Sequence, residues 1–150
     1  MQENSKIIFL DFDGVLITEN TGYLLIDKTP LQNLVDLIEK TDAKVVVSSS
    51  WRLCPITCMN LMKGSNLDKY LHKNWSTPEF DMNMPEYRGH EINSWYEHNG
   101  NGASYVILDD CEPMLPFQES LYVKTNEISG LTSKDCELAY QILMNGELNV

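Results

Sequence analysis

The sequence predicts an α/β domain with a mainly parallel sheet between two helical layers. Two patterns carry that expectation. Short runs that are apolar almost throughout, "KIIFL" at 6–10, "KVVVS" at 44–48 and "SYVIL" at 104–108, require cover on both faces, as strands of parallel sheets do. The helical patterns between them are apolar on one side and supply that cover. A chain of 150 residues with 43% hydrophobic and 22% charged content fits one domain, 1–150, built on one core.

The elements follow in order. After the first strand, "VLITENTGYLLID" at 15–27 has two apolar runs around "ENTG", the pattern of a small hairpin. In "TPLQNLVDLIEK" at 29–40, Thr29 can cap, Pro30 suits the first turn, and Leu31, Leu34, Val35 and Ile38 share a face. The stretch 73–87, "KNWSTPEFDMNMPEY", has two prolines and little periodicity, and reads as an ordered loop. "RGHEINSWYEH" at 88–98 puts Ile92, Trp95 and Tyr96 on one helical face. "SLYVKT" at 120–125 is a weaker fourth strand. In "GLTSKDCELAYQILMNG" at 130–146, Thr132 with Asp135 forms a capping box, Leu138, Ile142 and Leu143 share a side, and Gly146 ends the helix.

Composition narrows the function. The net charge of −11, from 11 basic and 22 acidic residues, repels polyanions. No basic stripe for long nucleic acid is present, although a nucleic-acid end held locally stays open. No apolar run reaches the roughly 18 residues of a membrane span, and no basic-then-apolar leader precedes Asp11. A cytoplasmic chain without membrane partners is expected. Cys54, Cys58, Cys111 and Cys136 do not complete a zinc set and read as reduced thiols with packing roles. His72, His90 and His98 read as surface residues.

Ligands of open parallel sheets gather at the carboxyl ends of the strands. After the first strand come Asp11 and Asp13. Ser48, Ser49, Ser50, Trp51 and Arg52 close the second, and Asp109 and Asp110 follow the third. Four carboxylates in one crevice are tolerable around a cation. All-oxygen ligation with room for water and phosphate suits Mg2+. The serines offer hydroxyls and backbone N–H groups at a strand-to-helix turn, where phosphate oxygens bind well.

"FLDFDGVL", "VVVSSSWR", the arginine-led "RGHEINSW" and "YVILDD", in that order, resemble the four motifs of the haloacid dehalogenase (HAD) superfamily of phosphotransferases. The details "SSSWR" and "RGHEI" are most similar to small HAD domains associated with RNA-repair proteins and to the phosphatase half of polynucleotide kinase-phosphatases. The resemblance covers about residues 6–132. It implies a three-layer Rossmann-like core and an Mg2+-dependent phosphatase acting through an aspartyl-phosphate.

By that resemblance Asp11 is the nucleophile. Asp13 is the general acid and base, and its backbone carbonyl is a metal ligand. Asp110 touches the metal, with Asp109 as its outer partner. Gly14 leaves room beside the phosphate. Ser49 binds the phosphoryl group with the Ser50 N–H, and Ser48 stays open because register is ambiguous by one residue. The family usually supplies a lysine as catalytic cation; here Arg88 takes that place, and Arg52 is the rival, or a ligand for a second phosphate. Trp51 packs under the serine turn or stacks on a base.

The intervals 15–27 and 53–87 are too short for a globular cap. The hairpin with Tyr23 and Leu24 is then a flap over an open site. The expected partner is a phosphorylated substrate: a small phosphomonoester or nucleotide, or alternatively a polynucleotide 3′- or 5′-end. A catalytically inactive domain that binds a phosphorylated ligand is the non-enzymatic alternative.

Overall fold

The computed structural model describes residues 5–145. Five parallel strands form its sheet: β1 (Lys6–Leu10), β2 (Lys44–Val47), β3 (Leu71–Ser76), β4 (Ser104–Asp109) and β5 (Tyr122–Lys124). Their order across the sheet is β3-β2-β1-β4-β5, so the chain moves outward one way from β1 and then returns to the other side. The helices are α1 (Lys28–Thr41), α2 (Pro55–Gly64), α3 (Tyr87–Asn99) and α4 (Ser133–Asn145). No helix among the described residues is long and apolar enough to cross a membrane.

Alternation along the strands divides the core. Ile8, Leu10, Val45, Val47, Val106 and Leu108 face α1, α2 and α4, meeting Leu34, Ile38, Met62 and Ile142. Ile7, Phe9, Val46 and Ile107 face Ile92 and Trp95 of α3. Phe9 meets Trp95 edge-on at 5.4 Å between ring centres and Tyr105 at 5.2 Å. Full burial of such side chains is worth about 1.5–3 kcal/mol each, which explains why the central positions of β1 and β4 are apolar on both faces.

Sequence and fold differ in three places. The 15–27 hairpin is one antiparallel bridge, Ile17 to Ile26. Residues Glu19–Thr21 instead make a 3-10 turn closed by Gly22, whose N–H donates to the Glu19 carbonyl. The α1 cap is Asp27, not Thr29: its carboxylate accepts from the Thr29 N–H at 3.3 Å. The interval 53–87 holds α2 and β3, and the loop expected from residue 73 begins only after Ser76. β3 is a half-exposed edge strand with a bulge against β2, so it never shows the apolar run of a central strand. At α4, Thr132 Oγ accepts from the Asp135 N–H (3.1 Å) and Asp135 from the Thr132 N–H (3.0 Å), the reciprocal cap the sequence predicts. Gly146 lies outside the described residues.

Candidate active site

The backbone ladder runs one residue past β1, β2, β3 and β5 and brings the polar motifs to one edge. Asp11 N–H donates to the Leu108 carbonyl (3.0 Å), Ser48 N–H to Leu10 (3.0 Å), Thr77 N–H to Val47 (3.1 Å) and Thr125 N–H to Asp109 (2.9 Å). The edge is the carboxyl end of the sheet, at the β1/β4 switch in strand order. After Asp11 the chain tightens: the Leu16 and Ile17 N–H groups both donate to the Phe12 carbonyl at 2.9 Å. Phe12, Val15, Leu16 and Ile17 are all buried. That apolar anchor leaves Asp13 exposed, where the Trp51 indole N–H donates to its carboxylate at 3.2 Å. Trp51 also meets Phe12 edge-on.

Gly14 has a φ of +80°, and a Cβ there would overlap the Asp110 carboxylate. The space beside this glycine is therefore filled by Asp110, not left for phosphate. Thr125 Oγ donates to the Gly14 carbonyl at 2.7 Å, fastening the loop after β1 to the end of β5. Gly14→Ala strains the backbone and displaces Asp110, and is expected to cost about 1–3 kcal/mol. Urea denaturation measures the stability loss, and calorimetric Mg2+ titration measures the Asp110 shift.

Arg88, near the start of α3, is 5% exposed. Its Nη1 donates to Asp109 Oδ2 at 3.0 Å and lies 3.8 Å from Asp11 Oδ1. Burial works against its charge, but Asp109 and Asp11 outweigh burial and hold its pKa above the ordinary value. Asp109 is fully buried. Its Oδ1 accepts from the Cys111 and Glu112 N–H groups, each at 3.2 Å, so both oxygens are engaged within the protein. Burial, followed by Asp109, pushes Asp11 up to about 8; Arg88 and a hydrogen bond from Ser49 pull the other way. Ser49 also caps the turn Ser50–Leu53, accepting from the Trp51 N–H.

Three expectations need correction here. Arg52 has no donor left for phosphate. Its Nε–H bonds the Thr77 carbonyl (2.8 Å), Nη1 the Ser48 and Ser49 carbonyls (3.3 and 2.9 Å), and Nη2 the Pro78 carbonyl (3.2 Å) and Glu91 (2.9 Å). Ser48 is fully buried with its hydroxyl unpartnered, whereas Ser49 reaches Asp11. Packing accounts for Cys58, and Cys136 donates to the Asn33 carbonyl, but Cys54 and Cys111 are exposed. The histidines stay outside the site: His90 stacks on Phe80, His72 meets Trp95 edge-on, and His98 bonds the Ser94 carbonyl.

Asp109, Asp110 and Cys111 place ligand atoms within 4.8 Å of one another. Burial and Asp110 hold the Cys111 thiol up at about 12, and the two aspartates of the group offer carboxylate oxygens. Oxygen donors, and a carboxylate group opposed by the single arginine, fit a hard divalent cation. Asp11 and Asp13 stand outside this tight group, although Asp110 raises Asp11 electrostatically.

A cavity of about 580 Å³ lies between β3 and α3 against Trp75, Thr77, Trp95 and His98, and none of the aspartates lines it. A smaller pocket of about 340 Å³ opens beside Asp110, bounded by Lys124, Asn126, Glu127 and Ile128. The expected flap carries Tyr23, Leu24 and Leu25, all exposed, and its Glu19 N–H donates to the Glu127 carbonyl at 3.1 Å. Sequence reading missed Glu91, which is 3% exposed and in contact with both arginines. The i,i+3 spacing of Arg88 and Glu91 was the available signal.

No curated protein and no solved structure matches the chain. The family model for the HAD domain in Swiss Army Knife RNA repair proteins matches residues 7–136, a span from β1 into α4 that includes every aspartate, serine and arginine of this edge. The chain belongs to that HAD family.

Proposed function

We propose that the domain is a phosphomonoester hydrolase that works through an aspartyl-phosphate on Asp11 and requires Mg2+. The observation that carries this reading is Asp11 itself: a buried carboxylate at the strand switch, 3.8 Å from a buried arginine, with the exposed Asp13 two residues on. In the first half-reaction an Asp11 oxygen attacks phosphorus in line. The bond from phosphorus to the leaving oxygen breaks, and Asp13 gives that oxygen its proton. In the second, Asp13 takes a proton from water, the water oxygen attacks phosphorus, and the Asp11 carboxylate is released with inorganic phosphate. Arg88 balances charge on Asp11 and on the phosphoryl oxygens. Ser49 holds the phosphoryl group by its hydroxyl. Asp11, the Asp13 carbonyl and Asp110 would hold Mg2+, which supplies electrostatic stabilisation of the transferring phosphoryl group.

The substrate reading favoured by the family is a phosphate at an RNA 3′- or 5′-end. The exposed Asp13 and the absence of a cap among the described residues suit a bulky leaving group, and the net charge of −11 suits a terminus better than a long duplex. Phosphate release from an aryl phosphate, mononucleotides, 3′- and 5′-phosphorylated oligoribonucleotides and a phosphopeptide, each with Mg2+ or EDTA, tests this. The expected result is Mg2+-dependent release, fastest from an oligoribonucleotide end. Preference for mononucleotides would move the substrate to small phosphomonoesters. No release from any of them would support a domain that only binds a phosphorylated ligand.

A further inference from the structure

Glu91 is a buried carboxylate that the reaction above does not use. It stands between two buried arginines. Its Oε2 lies 2.9 Å from Arg52 Nη2 and accepts from the Phe80 N–H at 3.1 Å, while Oε1 lies 3.4 Å from Arg88 Nε. Each arginine controls a different half of the edge. Arg52 gathers the carbonyls of Ser48, Ser49, Thr77 and Pro78, which holds the turn that Ser49 caps. Arg88 presents Nη1 to Asp109 and Asp11.

The two contacts of Glu91 are not equivalent. The bond to Arg52 is short and reinforced by Phe80. The Arg88 contact is longer, and neither Arg88 Nε nor Glu91 Oε1 has a hydrogen-bond partner elsewhere. A guanidinium with its Nε drawn toward one carboxylate and its Nη1 on two others cannot rotate without losing one of them. Among the described residues Nη2 of Arg88 makes no hydrogen bond or ion pair, so it is the amino group left for a phosphoryl oxygen. Without an acid between them, two arginines at low dielectric would also repel; burial first, and Arg88 after it, hold the Arg52 pKa below its ordinary value, and Glu91 pulls the other way.

We infer that Glu91 is a positioning residue that orients Arg88 toward the phosphoryl group and ties that orientation to the Ser49 turn through Arg52. The inference rests on the proposed hydrolase reading for its kinetic effect, but not for its structural one.

The test combines a double-mutant cycle with a spectroscopic probe. Steady-state phosphate release is measured for the full chain, E91Q, R88A and E91Q/R88A, and the Arg88 Nε–H resonance is followed by 15N NMR in the wild type and E91Q. In the wild-type background E91Q is expected to lower kcat about 10- to 100-fold with KM changed less than about 3-fold. In the R88A background the same substitution should cost less than about 3-fold, because residues acting as a unit are not additive. The Arg88 Nε–H signal should shift and exchange faster in E91Q.

Equal loss of kcat in both backgrounds would overturn the inference, as would an unmoved resonance. E91D covers the case in which E91Q does not fold. It keeps the charge but withdraws the carboxylate by one methylene. A native melting temperature with reduced kcat and a shifted Arg88 signal upholds positioning, and full activity with an unshifted signal reduces Glu91 to charge balance. If the wild type releases no phosphate from any substrate, the hydrolase reading fails by that result alone. The NMR comparison then still decides whether Glu91 orients Arg88.

Discussion

Asp11→Asn is expected to lower phosphate release by about 10^4-fold or more and, at the same time, to stabilise the metal-free protein at pH 8. The first effect follows from losing the attacking oxygen, since an amide is not a nucleophile toward phosphorus, and loss of a covalent nucleophile is among the costliest single changes an enzyme can suffer. The second follows from burial. The Asp11 carboxyl is pushed from 3.8 to about 8, by desolvation first and Asp109 next, so without a metal the native state holds its proton more tightly than the unfolded chain does. Its contribution is fully present below about pH 4 and is lost as pH rises through about 8. The asparagine amide of the variant has no proton to lose. In EDTA the two proteins should melt together near pH 4, and the variant should melt higher at pH 8. Equal melting temperatures at both pH values would show that Asp11 carries no such strain.

Arg88→Ala is expected to lower kcat about 10²- to 10³-fold, the usual cost of removing one group that stabilises transition-state charge. It should also destabilise the fold by about 3–5 kcal/mol, because Asp109 is fully buried and loses the one side-chain cation paired with it among the described residues. Arg88→Lys separates the two effects. An ammonium restores the charge but cannot face Asp109 and Glu91 together as a fork does. The lysine variant is therefore expected to recover most of the stability and only part of kcat. Urea denaturation and steady-state kinetics on the same preparations check both. Full activity in Arg88→Ala would remove Arg88 from the reaction.

The parts of this site legible in the sequence were those written in short, continuous runs. β1, β2 and β4 are buried on both faces, so their central residues carry no polar interruption, and the carboxylates and serines that close them mark the strand ends. Ile8, Val45 and Val106 sit side by side in register, which is why motifs far apart in the chain arrive at one edge. What escaped was set by tertiary contacts. β3, "LHKNWS", is an edge strand whose exposed residues break the pattern. α2 buries only Cys58 and Met62, too few positions to write a stripe. Arg52 reads as a site cation until its carbonyl partners at Thr77 and Pro78 are known, and those come from the loop that follows β3. Gly14 reads as room for a ligand until Asp110 is seen occupying it.

Asp11 as the nucleophile is tested by acid-quenching the protein during turnover of the best substrate from the panel and mapping phosphoryl adducts by peptide mass spectrometry. The expected result is an acid-stable, hydroxylamine-labile phosphoryl group on the peptide carrying Asp11, absent from Asp11→Asn. Phosphate release with a persistent adduct on a different residue, or undiminished release by Asp11→Asn, would contradict it.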